Sequence, residues 1–388
     1  MKKSLLPLML GGLGIGITEF VMMGLLPDLV SKLTISIPVA GHLIAVYALG
    51  VVVGAPVLIL ATRKFQPKKL LLFLMLLFTL FNATSAFAPT YYFLLLTRFL
   101  SGLPHGAFFG VGSVVASRIA EKGKESQAIS MMFSGMTIAN LVGVPLGTFI
   151  GHHYSWRYTF ILIAIIGLIT ILGIAAWLPK LKAMEHKNIK EELLFFSHGD
   201  SWLIILLIAI GTGGLFSWIS YIAPLLTSIT HFDLNAIPYI MALAGLGMVF
   251  GNIIGGKLAD RYSPAKTIMT LMVTITIFLI VIHFTASLQI LSLIMTFAMG
   301  AAAFALVAPI QMMMISFSRG SEMLASSVSQ SCFNISNALG AFLGGLPLVF
   351  GFSYAAPEVV GAMMTSLGAI IVWLLMVKRK KQKSYSQG

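Results

Sequence analysis

Charge is scarce in this chain. Asp, Glu, Lys and Arg make up 10% of its 388 residues, well below the share of roughly 25% usual in soluble domains. Acids are the scarcer sign, with 12 Asp and Glu against 25 Lys and Arg, a formal net charge of +13. A single cysteine, Cys332, excludes a disulfide framework and a thiolate metal cluster, and no other metal-ligand set is visible. Alternating barrel strands of about ten residues are absent. No pair of acids and no Ser/His pair stands at membrane depth, so catalytic residues are not assigned and an intramembrane enzyme is not expected. The one phosphate-loop pattern, Gly251 to Leu258, carries Leu258 where Ser or Thr must hold magnesium. It follows no strand, which leaves no element for ATP or another cofactor.

What is abundant is apolar. Hydrophobic residues reach 58% and mean hydropathy is +0.97, which only an integral membrane protein sustains. Stretches of roughly 20 apolar residues, enough to cross about 30 Å of hydrocarbon, recur along the whole chain. About twelve are readable, at 4–27, 40–62, 69–88, 91–117, 127–151 and 157–178, then 202–229, 236–258, 267–286, 288–316, 323–350 and 357–377. Lipid offers no partner for stray amides, so these spans must be helices and the fold all-α. Lys2 and Lys3 before the first run imitate a signal peptide, but no small-residue cleavage pattern ends it.

Basic residues fix the expected orientation. Lys2, Lys3, Arg63, Lys64, Lys68, Lys69, Arg118, Lys122, Lys124, Lys180, Lys182, Lys187, Lys190, Lys257, Arg261, Lys266, Arg319 and the tail Lys378, Arg379, Lys380, Lys381 and Lys383 fall on one side. Lys32 and Arg157 fall on the other. Both termini are therefore expected in the cytoplasm, and the positive charge is explained by anionic lipid at the inner surface rather than by nucleic acid.

The chain also repeats itself. An offset of 197 carries Tyr47–Gly54 onto Ala244–Gly251, Pro27 onto Pro224, and Ala139, Asn140, Gly143 and Gly147 onto Ser336, Asn337, Gly340 and Gly344. Two six-helix bundles follow, at 1–178 and 201–388, the second with a basic cytoplasmic tail, joined by a charged cytoplasmic linker at 179–200. Two bundles inserted the same way up are related by a pseudo-two-fold axis along the membrane normal. Small residues recur every four positions at Gly135, Ala139, Gly143 and Gly147 and again at Gly340 and Gly344, with Gly50 and Gly54 answered by Gly247 and Gly251. Such stripes let helix backbones approach closely. They read either as static packing or as seams along which the bundles rock. Pro27, Pro104, Pro145 and Pro224 interrupt spans and bend them.

Within the hydrocarbon the formal charges are Glu19 in the first span and Arg98 in the fourth. Eight residues separate Glu19 from Pro27 and seven separate Arg98 from Tyr91, which sets both at a depth of roughly 10–12 Å at the helical rise. Intramembrane charge usually marks an ion or substrate path. The pair reads as a proton switch or as a fixed ion pair between the first and fourth helices. The repeat partner of Glu19 is Phe216, so the acid is expected in one half only. His105 and Phe109 lie on the face of Arg98. Asn140, Gln330, Asn334 and Asn337 are polar groups at depth, suited to a polar substrate or to bridging helices. Met22, Met23, Phe216, Trp218 and Tyr221 are candidates for an adaptable cavity wall.

These residues resemble the major facilitator superfamily. The loop signature appears as Gly256-Lys-Leu-Ala-Asp260-Arg261 in the second half and, with Thr62 at the acid position before Arg63, in the first. Arg98 to Gly106 resembles the fourth-span signature, and Gly135 through Gly143-Val-Pro145-Leu-Gly147 the fifth-span antiporter signature. Thr18-Glu19-Phe20, Pro104-His105-Gly106 and Ser155-Trp156-Arg157 look nearest to the twelve-span drug:proton antiporters, within them to the bacterial arabinose efflux permease branch. The resemblance implies a monomeric carrier of the bacterial inner membrane. It would export a small organic compound by alternating access in exchange for protons, with substrate bound in a central cavity between the halves. A facilitator or proton symporter on the same fold is the alternative.

Overall fold

The computed structural model describes residues 3–181, 188–318 and 320–385. Lys2, Lys182, Lys187 and Arg319 lie outside the described residues, as do 182–187 of the linker, and only the backbone is described for Arg379, Lys380, Lys381 and Lys383.

Among the described residues twelve helices are long and apolar enough to cross a membrane: α1 Lys3–Leu33, α2 Val39–Ala61, α3 Pro67–Ala86, α4 Tyr91–Ile119, α5 Glu125–His153, α6 Trp156–Trp177, α7 Gly199–Ser228, α8 Ile237–Tyr262, α9 Pro264–Thr285, α10 Gln289–Phe317, α11 Glu322–Val349 and α12 Ala356–Lys378. No strand occurs among the described residues. Helix starts follow local chemistry. Thr90, Ser155 and Ser263 accept from the amides of Phe93, Arg157 and Lys266 at 3.3 Å each, satisfying one orphan donor per helix. Pro67 and Pro264 occupy first helical positions, where a missing N–H costs nothing. Helix ends draw basic side chains: Lys68 Nζ donates to the Ala175 and Leu178 carbonyls at 2.8 and 2.6 Å. Arg157 donates to those of Ala86 and Ala88 at 2.7 and 2.8 Å, which gives an exception to the charge pattern a structural task at the end of α3.

Two spans contain a wide π turn, at Ala139–Gly143 in α5 and Leu207–Gly211 in α7. The first precedes Pro145, which has no N–H to return to residue 141 and whose ring crowds that carbonyl. The second ends at Thr212, whose hydroxyl takes the Ile208 carbonyl at 2.8 Å and thereby competes with the helical ladder.

The chain forms two compact units, Met1–Leu193 with Gly320–Ser331, and Leu194–Arg319 with Cys332–Gly388. In the first unit α2 packs on α4, α3 on α6, and α1 on α5 and α6. The second repeats the pattern with α8 on α10, α9 on α12 and α7 on α12. The glycines show why. A Cβ on Gly50 or Gly54 would run into the Phe99 or Leu103 carbonyl, and one on Gly247 or Gly251 into those of Phe297 or Ala301. Gly135, Gly143 and Gly147 press on Met9, Ile17 and Val21 of α1, and Gly340 and Gly344 on Gly213 and Ser217 of α7. Each of these seams is internal to one unit. At these contacts the small residues let backbones touch inside a bundle.

The start of α11 belongs to the first unit. Ser331 Oγ donates to the Val52 carbonyl at 2.9 Å, a Cβ on Gly110 would overlap Ser327, and Arg118 pairs with Glu322 at 2.8 Å.

Candidate functional site

Helices α1, α2 and α4 meet at one buried side chain, Arg98 of α4, which is 0% exposed, and α3 joins through Thr18. Its Nη1 donates to the Thr18 carbonyl at 3.0 Å and to Thr18 Oγ1 at 3.1 Å. Its Nε reaches the Leu43 carbonyl at 3.4 Å, and its guanidinium lies 4.2 Å from the Tyr47 ring centroid. Thr18 Oγ1 in turn donates to Asn82 Oδ1 at 2.6 Å, and Asn82 Nδ2 donates to the Phe78 carbonyl at 2.8 Å. The bonds run in one direction from arginine to a backbone oxygen. Each donor polarises the next, so the positive charge is shared along a fixed track.

On the other side of the guanidinium, the Tyr47 hydroxyl meets His105 Nδ1 at 3.0 Å. The His105 ring lies 5.3 Å from Phe109, which stacks on Phe133 at 4.7 Å and 8°. A polar track thus ends on an aromatic wall.

Glu19 follows Thr18 directly and is half-buried. Its carboxyl is within Coulombic reach of Arg98 and Tyr47. No Glu19 oxygen comes within the 4.0 Å that defines an ion pair with Arg98. Glu19 Oε2 and Arg98 Nη2 are both buried without a hydrogen-bond partner. The two charges share a site without closing on each other.

Other sequence candidates fall elsewhere. Met22 is fully buried while Met23 is 56% exposed, so the two do not share one wall. Asn140 sits half-buried in the π turn of α5, and Gln330 and Asn334 are buried. In the second unit Phe216 and Asn337 are half-buried. Tyr221 donates to the Ala341 carbonyl at 2.7 Å and so ties α7 to α11. Trp218 borders a small void with Ile222, Leu225 and Ile282. In the first-half loop Thr62 bonds back to the Leu58 carbonyl at 2.5 Å and Arg63 to that of Leu60 at 3.4 Å. In the second, Arg261 lies 5.3 Å from the Tyr262 ring; Gly256 is buried and Asp260 half-buried.

The reading of two intramembrane charges needs a correction. Glu358 lies within α12 and is 0% exposed. It was hidden by its place at the edge of an apolar run, where an acid reads as a boundary.

The model of the Major Facilitator Superfamily matches residues 8–316 and again 202–388. The chain belongs to that superfamily. Among its relatives are the putative transporter AraJ of Escherichia coli strain K12, 40% identical over 99% of this chain and 97% of that protein, and the inner membrane transport protein YdhP of the same strain, 40% identical over 95% of each. The solved structure of the proton:xylose symporter XylE bound to 6-bromo-6-deoxy-D-glucose superposes with a TM-score of 0.75 at 16% identity, covering 96% of this chain and 94% of that one. The human organic anion transporter MFSD10 gives 0.73 at 15%, covering 95% and 99%. The protein is a multi-pass transporter of small molecules with the major facilitator fold.

Proposed function

We propose that the protein exports a small organic compound across a bacterial inner membrane in exchange for protons, with Glu19 as the proton carrier and Arg98 as its electrostatic counterweight. One observation carries this: the Glu19 carboxyl is near Arg98 yet unpaired, with Oε2 buried and unpartnered. A carboxyl locked in a contact ion pair would hold its charge permanently, whereas this one gains or loses a proton at the expense of a longer-range attraction. Arg98 is fixed by Thr18, so a change in the charge of Glu19 acts on the α1–α4 contact itself. That is the coupling alternating access needs, because cargo and proton then compete for one network. His105, Phe109 and Phe133 pack beside it as a buried aromatic cluster.

The test is accumulation of ethidium, and separately of labelled arabinose, in cells overproducing the protein, with and without a protonophore. Expected is reduced accumulation of one probe that the protonophore abolishes and that Glu19→Gln abolishes at unchanged protein level. Gradient-dependent export that survives Glu19→Gln removes the assignment of Glu19. Inward movement driven by the gradient replaces export with symport on the same fold.

A further inference from the structure

Glu358 takes no part in the reading above. It stands in the first turn of α12, 0% exposed, and neither carboxyl oxygen has a hydrogen-bond partner. Its surroundings follow from its neighbours on the helix. The Ala355 carbonyl accepts from His283 Nδ1 of α9 at 2.7 Å, and the Pro357 carbonyl from Ser217 Oγ of α7 at 2.7 Å. Gly361 packs between Gly214 of α7 and Leu279 of α9. Glu358 shares a helix face with Gly361 and Thr365, at spacings of three and seven, so its carboxyl enters the α7–α9–α12 seam of the second unit.

Charged and titratable groups on the packed elements are few. On α7 they are Tyr221, which donates to Ala341, and Asp200 at the opposite end, paired with Lys378 of α12 at 2.6 Å. On α9 they are Lys266, also at the opposite end, and His283. His283 of α9 and Tyr221 of α7 stand toward the same end as Glu358. The His283 Nδ1 donates to the Ala355 carbonyl, which can only accept.

Among the described residues an ionised carboxylate in this seam has neither counter-ion nor donor, and burying an unpaired charge is strongly disfavoured. A metal ion is not provided for, since no cluster of three His, Cys, Asp or Glu exists among the described residues. A proton needs no added space and removes the charge. We propose that Glu358 is a proton-binding site of the second unit, loaded while the α7–α9–α12 seam is closed and exchanged through the His283 end when it loosens. This goes beyond the role given to Glu19 and stands or falls separately from it.

The test is infrared difference spectroscopy of the full-length protein in lipid vesicles, cycled between neutral and alkaline buffer. A neutral carboxylic acid shows a C=O stretch that ionised surface acids lack. Expected is a reversible band with a component that Glu358→Gln deletes and Glu19→Gln leaves. An unchanged spectrum in folded Glu358→Gln protein, or a component that never responds to alkali, overturns the proposal. Should Glu358→Gln fail to fold, Glu19→Gln protein grown with carboxyl-13C glutamate decides: a protonated-acid band shifted by the isotope is expected, and its absence overturns the proposal.

Discussion

Replacing Arg98 with Lys keeps the charge and removes the fork, which isolates geometry from electrostatics. The guanidinium makes two Nη1 bonds to Thr18, at 3.0 and 3.1 Å, a long Nε bond to Leu43 at 3.4 Å and a stacked contact with Tyr47 at 4.2 Å. Hydrogen bonds to a charged group contribute about 1.5–3 kcal/mol each. A lysine ammonium can hold one oxygen of Thr18 but not both while staying over the Tyr47 ring. The expected loss is about 2–4 kcal/mol, one strong bond plus part of the ring contact. Arg98→Ala also leaves a cavity and unpolarises the Thr18–Asn82 track, so it costs more, roughly 4 kcal/mol or above. Thermal unfolding of purified protein in a fixed detergent reads the order: wild type above Lys, Lys above Ala. Adding Asn82→Leu to Arg98→Lys is expected to cost less than the sum of the two, because both break one track. If Arg98→Lys melts with wild type and exports at the wild-type rate, the fork has no role and the site has been misread.

Two further substitutions test the frame. Gly54→Val and Gly251→Val push side chains into the carbonyls of Leu103 and Ala301, and each is expected to destabilise by about 1–3 kcal/mol. Gly41→Val, where a Cβ meets nothing within 4 Å, is the control, and equal melting of all three in the same thermal assay would refute the seam. Glu322→Gln breaks the ion pair with Arg118, whose side chains are 38% and 27% exposed; solvent screening limits the change in melting to that of about 1 kcal/mol or less.

The sequence displays the fold because lipid admits so few solutions. Once twelve apolar runs and an offset of 197 are counted, hydrogen-bond satisfaction makes each run a helix, and the repeat makes the two sets of pairings alike. The same offset predicts glycine seams, and Gly50 and Gly247 meet the carbonyls of Phe99 and Phe297, which correspond with a one-residue slip. What periodicity does not say is which backbone a small face touches. A stripe every four residues fits a partner in its own bundle as well as one in the other, and here the partners are α4, α10, α1 and α7.

Within the site, charge was visible and neutral polarity was not. Glu19 and Arg98 stand out against hydrocarbon, but Thr18, Tyr47 and Asn82, which hold the arginine, look like ordinary members of apolar helices. Asn82 carried the clearest unused signal, a lone amide in the third span with no reason to be there except a partner. Glu358 is inconspicuous for the opposite reason: an acid two residues from the start of a span looks like the headgroup boundary. Burial is what separates these cases. A boundary acid keeps its water, whereas a fully buried one with two unpartnered oxygens must lose its charge or find a donor, and α7 and α9 offer it none. A repeat built on one carboxyl in the first unit therefore carries a second in the other unit, on a different helix and unrelated by the offset, since the position 197 before Glu358 is Ile161. The asymmetry is one of side chains alone, since the backbones of the two units pair in the same way.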